Sequence, residues 1–192
     1  MTNLQKKNTY IVGCYWGSRE ETRQSCADRL SIFLCALAKH NALFSKWFKQ
    51  GRSLKEASQV VLPNDPNGLL PLLKAHRRDI DNDVIFELGF NYSAWSGPDA
   101  ALPATLMLTC GSYSRLIGNS LVIKVTPIQE PDIGLLEGIL HAAVVAFDPE
   151  DGVVSMRSGV ISASEMKPIL EMPALFRYKK GVGFSSGLDT VS

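Results

Sequence analysis

Histidine is the side chain best placed for general acid–base work near neutral pH, and this chain has three, His40, His76 and His141, scattered along its length. No pair has the H-E-x-x-H spacing that puts two zinc ligands on one helical face. Glu137 and His141 are the one acid–histidine pairing a small hydrolase could use, and they would need a deep pocket in which to converge. Cys14, Cys26, Cys35 and Cys110 include no C-x-x-C pair and all lie in apolar-patterned segments, which predicts reduced, buried thiols. Asp79-Ile80-Asp81-Asn82-Asp83 has the carboxylate density of a calcium loop but lacks the glycine and distal glutamate of an EF-hand, so it predicts a solvated acidic loop. Gly111-Ser112-Tyr113 is no G-x-S-x-G, Gly181-Val182-Gly183 reads as turn and bulge chemistry, and no phosphate-cradling glycine pattern occurs. The inventory predicts no catalytic residue, no metal and no cofactor.

Charge is more informative. Residues 1–60 carry ten Lys/Arg against four Asp/Glu, a balance of +6, whereas the remainder stands at −5. From Val125 to Met156 there are six acids (Glu130, Asp132, Glu137, Asp148, Glu150, Asp151) and no Lys or Arg. A net charge of +1 argues against a global field that would drive the chain onto nucleic acid or membrane. A basic N-terminal half with aromatics leaves a nucleic-acid-binding or regulatory interaction domain as an alternative, although no recognised nucleic-acid motif accompanies it. The polar start, Met1 to Tyr10, predicts no secretory signal, and the longest apolar run, Ile133 to Phe147, is too short for a membrane helix, so a soluble, cytoplasmic protein is expected.

The elements that must position these groups read as follows. Tyr10 to Trp16 is a strand ending at Gly17, and Ser18-x-x-Glu21 is a capping box opening a helix whose stripe is Cys26, Leu30, Phe33, Leu34 and Leu37, with Asn41 as its stop. A second helical piece holds Phe44, Trp47 and Phe48, a third opens at Ser53-x-x-Glu56, and a short one runs from about Leu69 to His76. Phe86, Leu88, Phe90 and Tyr92 alternate as a strand, followed by Ala104 to Cys110 and Ser120 to Val125 as an antiparallel pair. Asp132 caps a helix from Ile133 to Phe147, which is apolar on most of its circumference and so must lie on the sheet. A strand near Val153 to Met156, a short helix opened by Ser162-x-x-Glu165, and a closing hairpin (Leu175 to Tyr178, Val182 to Ser185) complete the chain. Early helices, later strands and short connections predict one α+β domain over residues 1–192, with a mostly antiparallel sheet of about five to six strands covered by helices. Trp16, Trp47 and Trp95 fall at element ends, where a tryptophan serves as core edge or interface anchor.

The order of short motifs carries more than any one of them. Gly13-Cys14-Tyr15-Trp16-Gly17-Ser18-Arg19-Glu20-Glu21-Thr22 is followed by Cys26-Ala27-Asp28-Arg29-Leu30. Then come Trp47, Leu88-Gly89-Phe90 with Trp95, Cys110-Gly111, Asn119 and Phe147-Asp148-Pro149. In this order, along nearly its whole length, the chain resembles the immunity protein 52 family of bacterial polymorphic toxin systems. The resemblance implies a cytoplasmic antitoxin that binds a cognate toxin, in this family a restriction-endonuclease-fold nuclease often delivered by type VI secretion. It fixes no functional residues, and the motif residues are expected to hold the fold. Because a nuclease site is basic where it holds phosphate, acids that face it would give steering and specificity. The expected toxin-facing residues are Asp79, Asp81, Asp83, Glu130, Asp132, Asp148, Glu150 and Asp151, with Trp95 as anchor. Self-association is left open.

Overall fold

The strand nearest the N-terminus is the middle of the sheet. The computed structural model describes residues 8–49, 60–97, 103–127, 132–157 and 174–186. Within them β1 (Thr9–Trp16) pairs on one side with β6 (Asn119–Val125) and on the other with β7 (Asp151–Arg157), both antiparallel. β6 is followed outward by β5 (Ala104–Cys110) and β4 (Phe90–Trp95), and β7 by β8 (Ala174–Lys179) and β9 (Gly183–Ser186). Two strands of two residues each, β2 (Phe48–Lys49) and β3 (Lys74–Ala75), share the outer edge of β4. The fold class is α+β, as expected, but the antiparallel sheet has nine strands rather than five to six. The closing hairpin continues the sheet as β8 and β9, while β2 and β3 are too short to carry a period-two signal.

Three α-helices are present among the described residues: α1 (Arg23–His40), α2 (Pro66–Leu69) and α3 (Ile133–Phe147). The α1 stripe Cys26, Leu30, Phe33, Leu34 and Leu37 is buried as its spacing predicts. It shares one core with Leu136, Ile139, Leu140 and Phe147 of α3 and with the alternate strand residues Val12, Cys14, Trp16, Leu106, Leu108, Leu121 and Ile123. Phe147 is the joint of that core, its ring 5.4 Å from Trp16 and 5.9 Å from Phe33. The opposite face of the sheet is partly open: Met107, between buried Leu106 and Leu108, is 54% exposed.

Several local expectations are corrected. Thr22, not Ser18, caps α1: its backbone is extended and its hydroxyl accepts from Ser25 N at 3.1 Å, while the Ser18 hydroxyl donates to Tyr113 O at 3.0 Å. The helical piece around Phe44 is a single 3-10 turn, Ala42–Phe44, after which Phe48 enters β2. The Leu69-to-His76 helix is instead α2 with a 3-10 turn, Leu70–Leu72, before β3. Phe86 and Leu88 lie in a 3-10 turn, not a strand, because Gly89 at φ +65° turns the chain before β4 begins. Cys35 is exposed: it sits one helical step, about 100°, round from Leu34 and leaves the buried stripe. Val145 of α3 is likewise 64% exposed, so that helix keeps an apolar residue on its outer face. The helices expected from Ser53 and Ser162 lie outside the described residues.

Candidate functional site

Register gathers the motif residues at one end of the sheet. Trp16 stands opposite Asn119, Tyr15 opposite Asp151, Phe90 opposite Cys110, and Asp151 opposite Lys179. The N-terminus of α1, the C-terminus of α3 and the β5–β6 loop therefore meet there, and we call it the loop end.

Polar side chains clasp these pieces together. Arg19 donates to Phe147 O at 2.7 Å and reaches Asp148 O at 3.4 Å, carbonyls at the negative end of α3, while its guanidinium lies 5.2 Å over the Trp16 ring. Arg29, nearly two turns into α1, donates to Ala146 O at 3.0 Å. Glu21, with its side chain 7% exposed, lies between the two cations, 2.6 Å from Arg29 Nε and 3.4 Å from Arg19 Nε. A buried carboxylate is tolerated because both neighbours are cationic. Asn119 closes the other side: its amide nitrogen donates to Gly17 O at 2.7 Å and Ser112 O at 2.9 Å, and its oxygen accepts from Ser112 N at 2.8 Å.

Two glycines let the loops come this close. Gly89, at φ +65°, would place a Cβ 2.3 Å from Cys110 O, and Gly111, at φ +72°, would place one 2.9 Å from Glu21 O. Beneath them the Cys110 thiol is pushed up by its hydrogen bond with Cys26 and by burial, and burial alone takes Cys14 to about 12. These are inert thiols. A shallow pocket of about 270 Å³ opens beside Tyr15, Asn119, Glu150 and Asp151, with no histidine, cysteine or lysine in its lining. Among the described residues no group of three His, Cys, Asp or Glu side chains is arranged to hold a metal. His141 and Glu137 are both exposed on α3, and the His141 ring stacks on Phe184 at 5.2 Å.

The candidate acids divide between the two ends of the sheet. Asp148, Glu150 and Asp151 are at the loop end, as is the hairpin carrying Asp79, Asp81 and Asp83, about 19 Å away across four strand spacings. Most of them have cationic partners. Lys180 holds Asp148 at 2.5 Å, a hydrogen bond that keeps its carboxyl below the usual range. Lys179 pairs with Asp151 at 2.9 Å, and Arg78 pairs with Asp81 and Asp83 at 3.0 and 3.1 Å. Asp132 caps α3 through Gly134 N at 3.0 Å, at the far end of the sheet. Trp95 is also there, half-buried against Phe48 across β2 and β4. Glu130 lies outside the described residues. Trp47 is buried, donating to Phe44 O at 3.0 Å. Apolar loop tips at the loop end include Ile80, Phe86, Leu116 and, in the β8–β9 turn, Val182, which are 96, 74, 93 and 82% exposed. Ile80 stands alone among acids, whereas Phe86 follows Val84 and Ile85 and reads as the start of a strand, and Leu116 is followed by Ile117, so no common local signal marks them.

Residues 8–168 match the profile of the Immunity protein 52 family. The chain belongs to the immunity protein 52 family. Membership identifies an immunity protein and implies a cognate toxin as its partner, a role that needs no catalytic centre. No curated protein matches the chain. The Tyr-Trp-Gly-x-Arg-Glu stretch behind the resemblance, with Glu21 after it, is used by the clasp: Trp16 packs on Phe147, Gly17 O is held by Asn119, Arg19 reaches Phe147 O, and Glu21 pairs with Arg19 and Arg29. No described helix is long and apolar enough to cross a membrane.

Proposed function

We propose that this immunity protein acts in the cytoplasm as a stoichiometric, non-catalytic inhibitor of a restriction-endonuclease-fold nuclease toxin delivered by type VI secretion. The observation that carries the reading is the family match across residues 8–168. The charge pattern supports it. Residues 76–89, 111–118 and 148–151, all at the loop end, hold seven carboxylates and three arginines, and adding Lys179 and Lys180 leaves a balance of −2 on a chain whose net charge is +1. An acidic end suits the basic surface of a nuclease. Asp79, Asp81, Asp83, Asp148, Glu150 and Asp151 are the toxin-facing acids in this reading; Asp132 and Trp95 would require a second, separate contact.

Expression of the neighbouring toxin gene with and without this chain tests the reading. Cells carrying the chain survive and keep their DNA intact, and the purified proteins form a one-to-one complex. Equal killing in both strains, or intact protection without complex formation, rejects it.

A further inference from the structure

We propose that the toxin is gripped by the apolar tips of two loops at the loop end: Ile80 and Phe86 of the segment 76–88, and Leu116 of the β5–β6 loop. This rests on the reading above and names the surface that would carry it out. Single exposed apolar residues are ordinary, but large ones on adjoining braced loops at one end of a sheet point to an interaction surface.

Phe86 and Leu116 belong to segments tied to one another. Glu87 O accepts from Tyr113 N and Ser114 N, both at 3.0 Å, and the Ser112 hydroxyl lies 3.1 Å from Glu87 O and 2.9 Å from Ile117 O. The hairpin below Ile80 is braced as well. Arg78 N donates to Asp83 O at 2.9 Å, Asn82 N to Arg78 O at 2.9 Å, and Arg77 to Asn82 O at 2.8 Å. Tips held this way lose little freedom on binding, which leaves more of the burial energy for affinity.

The surrounding charge selects the occupant. The two loops set Asp79, Asp81, Asp83 and Glu87 against Arg77, Arg78 and Arg115, with Arg78 paired to Asp81 and Asp83. The remaining balance of −1 suits a basic protein surface better than a second copy of this chain or the phosphates of a polynucleotide. The fitting partner is a protein surface with an apolar socket bordered by lysine and arginine.

Calorimetry with the product of the adjacent toxin gene provides the test, using Phe86→Asp with Leu116→Asp and, as a control, Val145→Asp on the outer face of α3. The double variant binds roughly 100-fold more weakly and the control binds like the wild type. Hydrogen exchange of the wild-type complex adds a measurement that needs no variant: amides of 76–88 and 111–118 slow when the toxin is bound. Wild-type affinity in the double variant, or no slowing in these segments of a formed complex, overturns the surface and leaves the function standing. A wild-type chain that does not bind the toxin overturns both.

Discussion

The loop end contains two neighbouring regions built on opposite plans. In the clasp, charged and polar side chains turn inward and bond to one another: Glu21 between Arg19 and Arg29, Asn119 between Gly17 and Ser112. At the tips a few residues away, apolar side chains turn outward into water. Most polar groups of the clasp are bonded within the fold, with Trp16 Nε1, Arg19 Nε and Glu21 Oε2 buried without a hydrogen bond, whereas the apolar tips stand largely in water. A buried polar cluster bonded mainly to backbone carbonyls argues for architecture, and an exposed apolar one on a braced loop argues for a partner.

The largest contrast is one of rate. Cys110 and Cys26 lie under the clasp and Cys14 is raised to about 12, while Cys35 faces solvent. A thiol reagent at neutral pH should modify Cys35 in the native protein and the other three only on unfolding; rapid labelling of Cys110 would show that the clasp opens. Next is Phe147→Ala, which removes the ring that Trp16 and Phe33 pack against. It should cost about 3–5 kcal/mol in denaturant unfolding. Asn119→Ala leaves the buried Ser112 N–H without its acceptor and should cost about 2–3 kcal/mol. Ile80→Ser, at a tip, should change stability by less than about 0.5 kcal/mol in the same measurement. A loss as large as that of Asn119→Ala would make the tips part of the fold and erase the contrast.

The smallest effect concerns pH. Asp148 has its carboxyl lowered by Lys180 in the folded chain, so the pair's contribution is complete above the ordinary aspartate range. It fades as pH falls from about 4 through the lowered value. Because the pair is exposed, the unfolding midpoint of Lys180→Met should differ little from the wild type at pH 7 and converge with it in acid or high salt.

What could be read in the chain follows from distance along it. Ala104–Cys110 and Ile133–Phe147 lie within the bounds read for them, because strand composition and the Asp132 cap are local signals, whereas the period of two from Phe86 to Tyr92 held only from Phe90 onward. The family was legible for a related reason, its motifs being short and in order. The clasp was not legible, since Arg19 meets Phe147 and Asn119 meets Gly17 more than a hundred residues away in sequence. The acids were visible as charge, but their neutralisation by Lys179 and Lys180 of the β8–β9 hairpin was not. Ser18 shows how a local rule fails: its capping pattern is present, yet the hydroxyl is drawn to Tyr113 O and the helix starts one turn later.

The central place of β1 bears on how the protein is made. Its two hydrogen-bonded neighbours, β6 and β7, are encoded 103–115 and 136–148 residues downstream. At about 5–20 residues per second on the ribosome, this strand waits for roughly 5–20 s with both flanks bare. Tyr10, Val12 and Trp16 spend that interval without a sheet, open to chaperones and to misfolding. The core around β1 therefore closes only when most of the chain has been made.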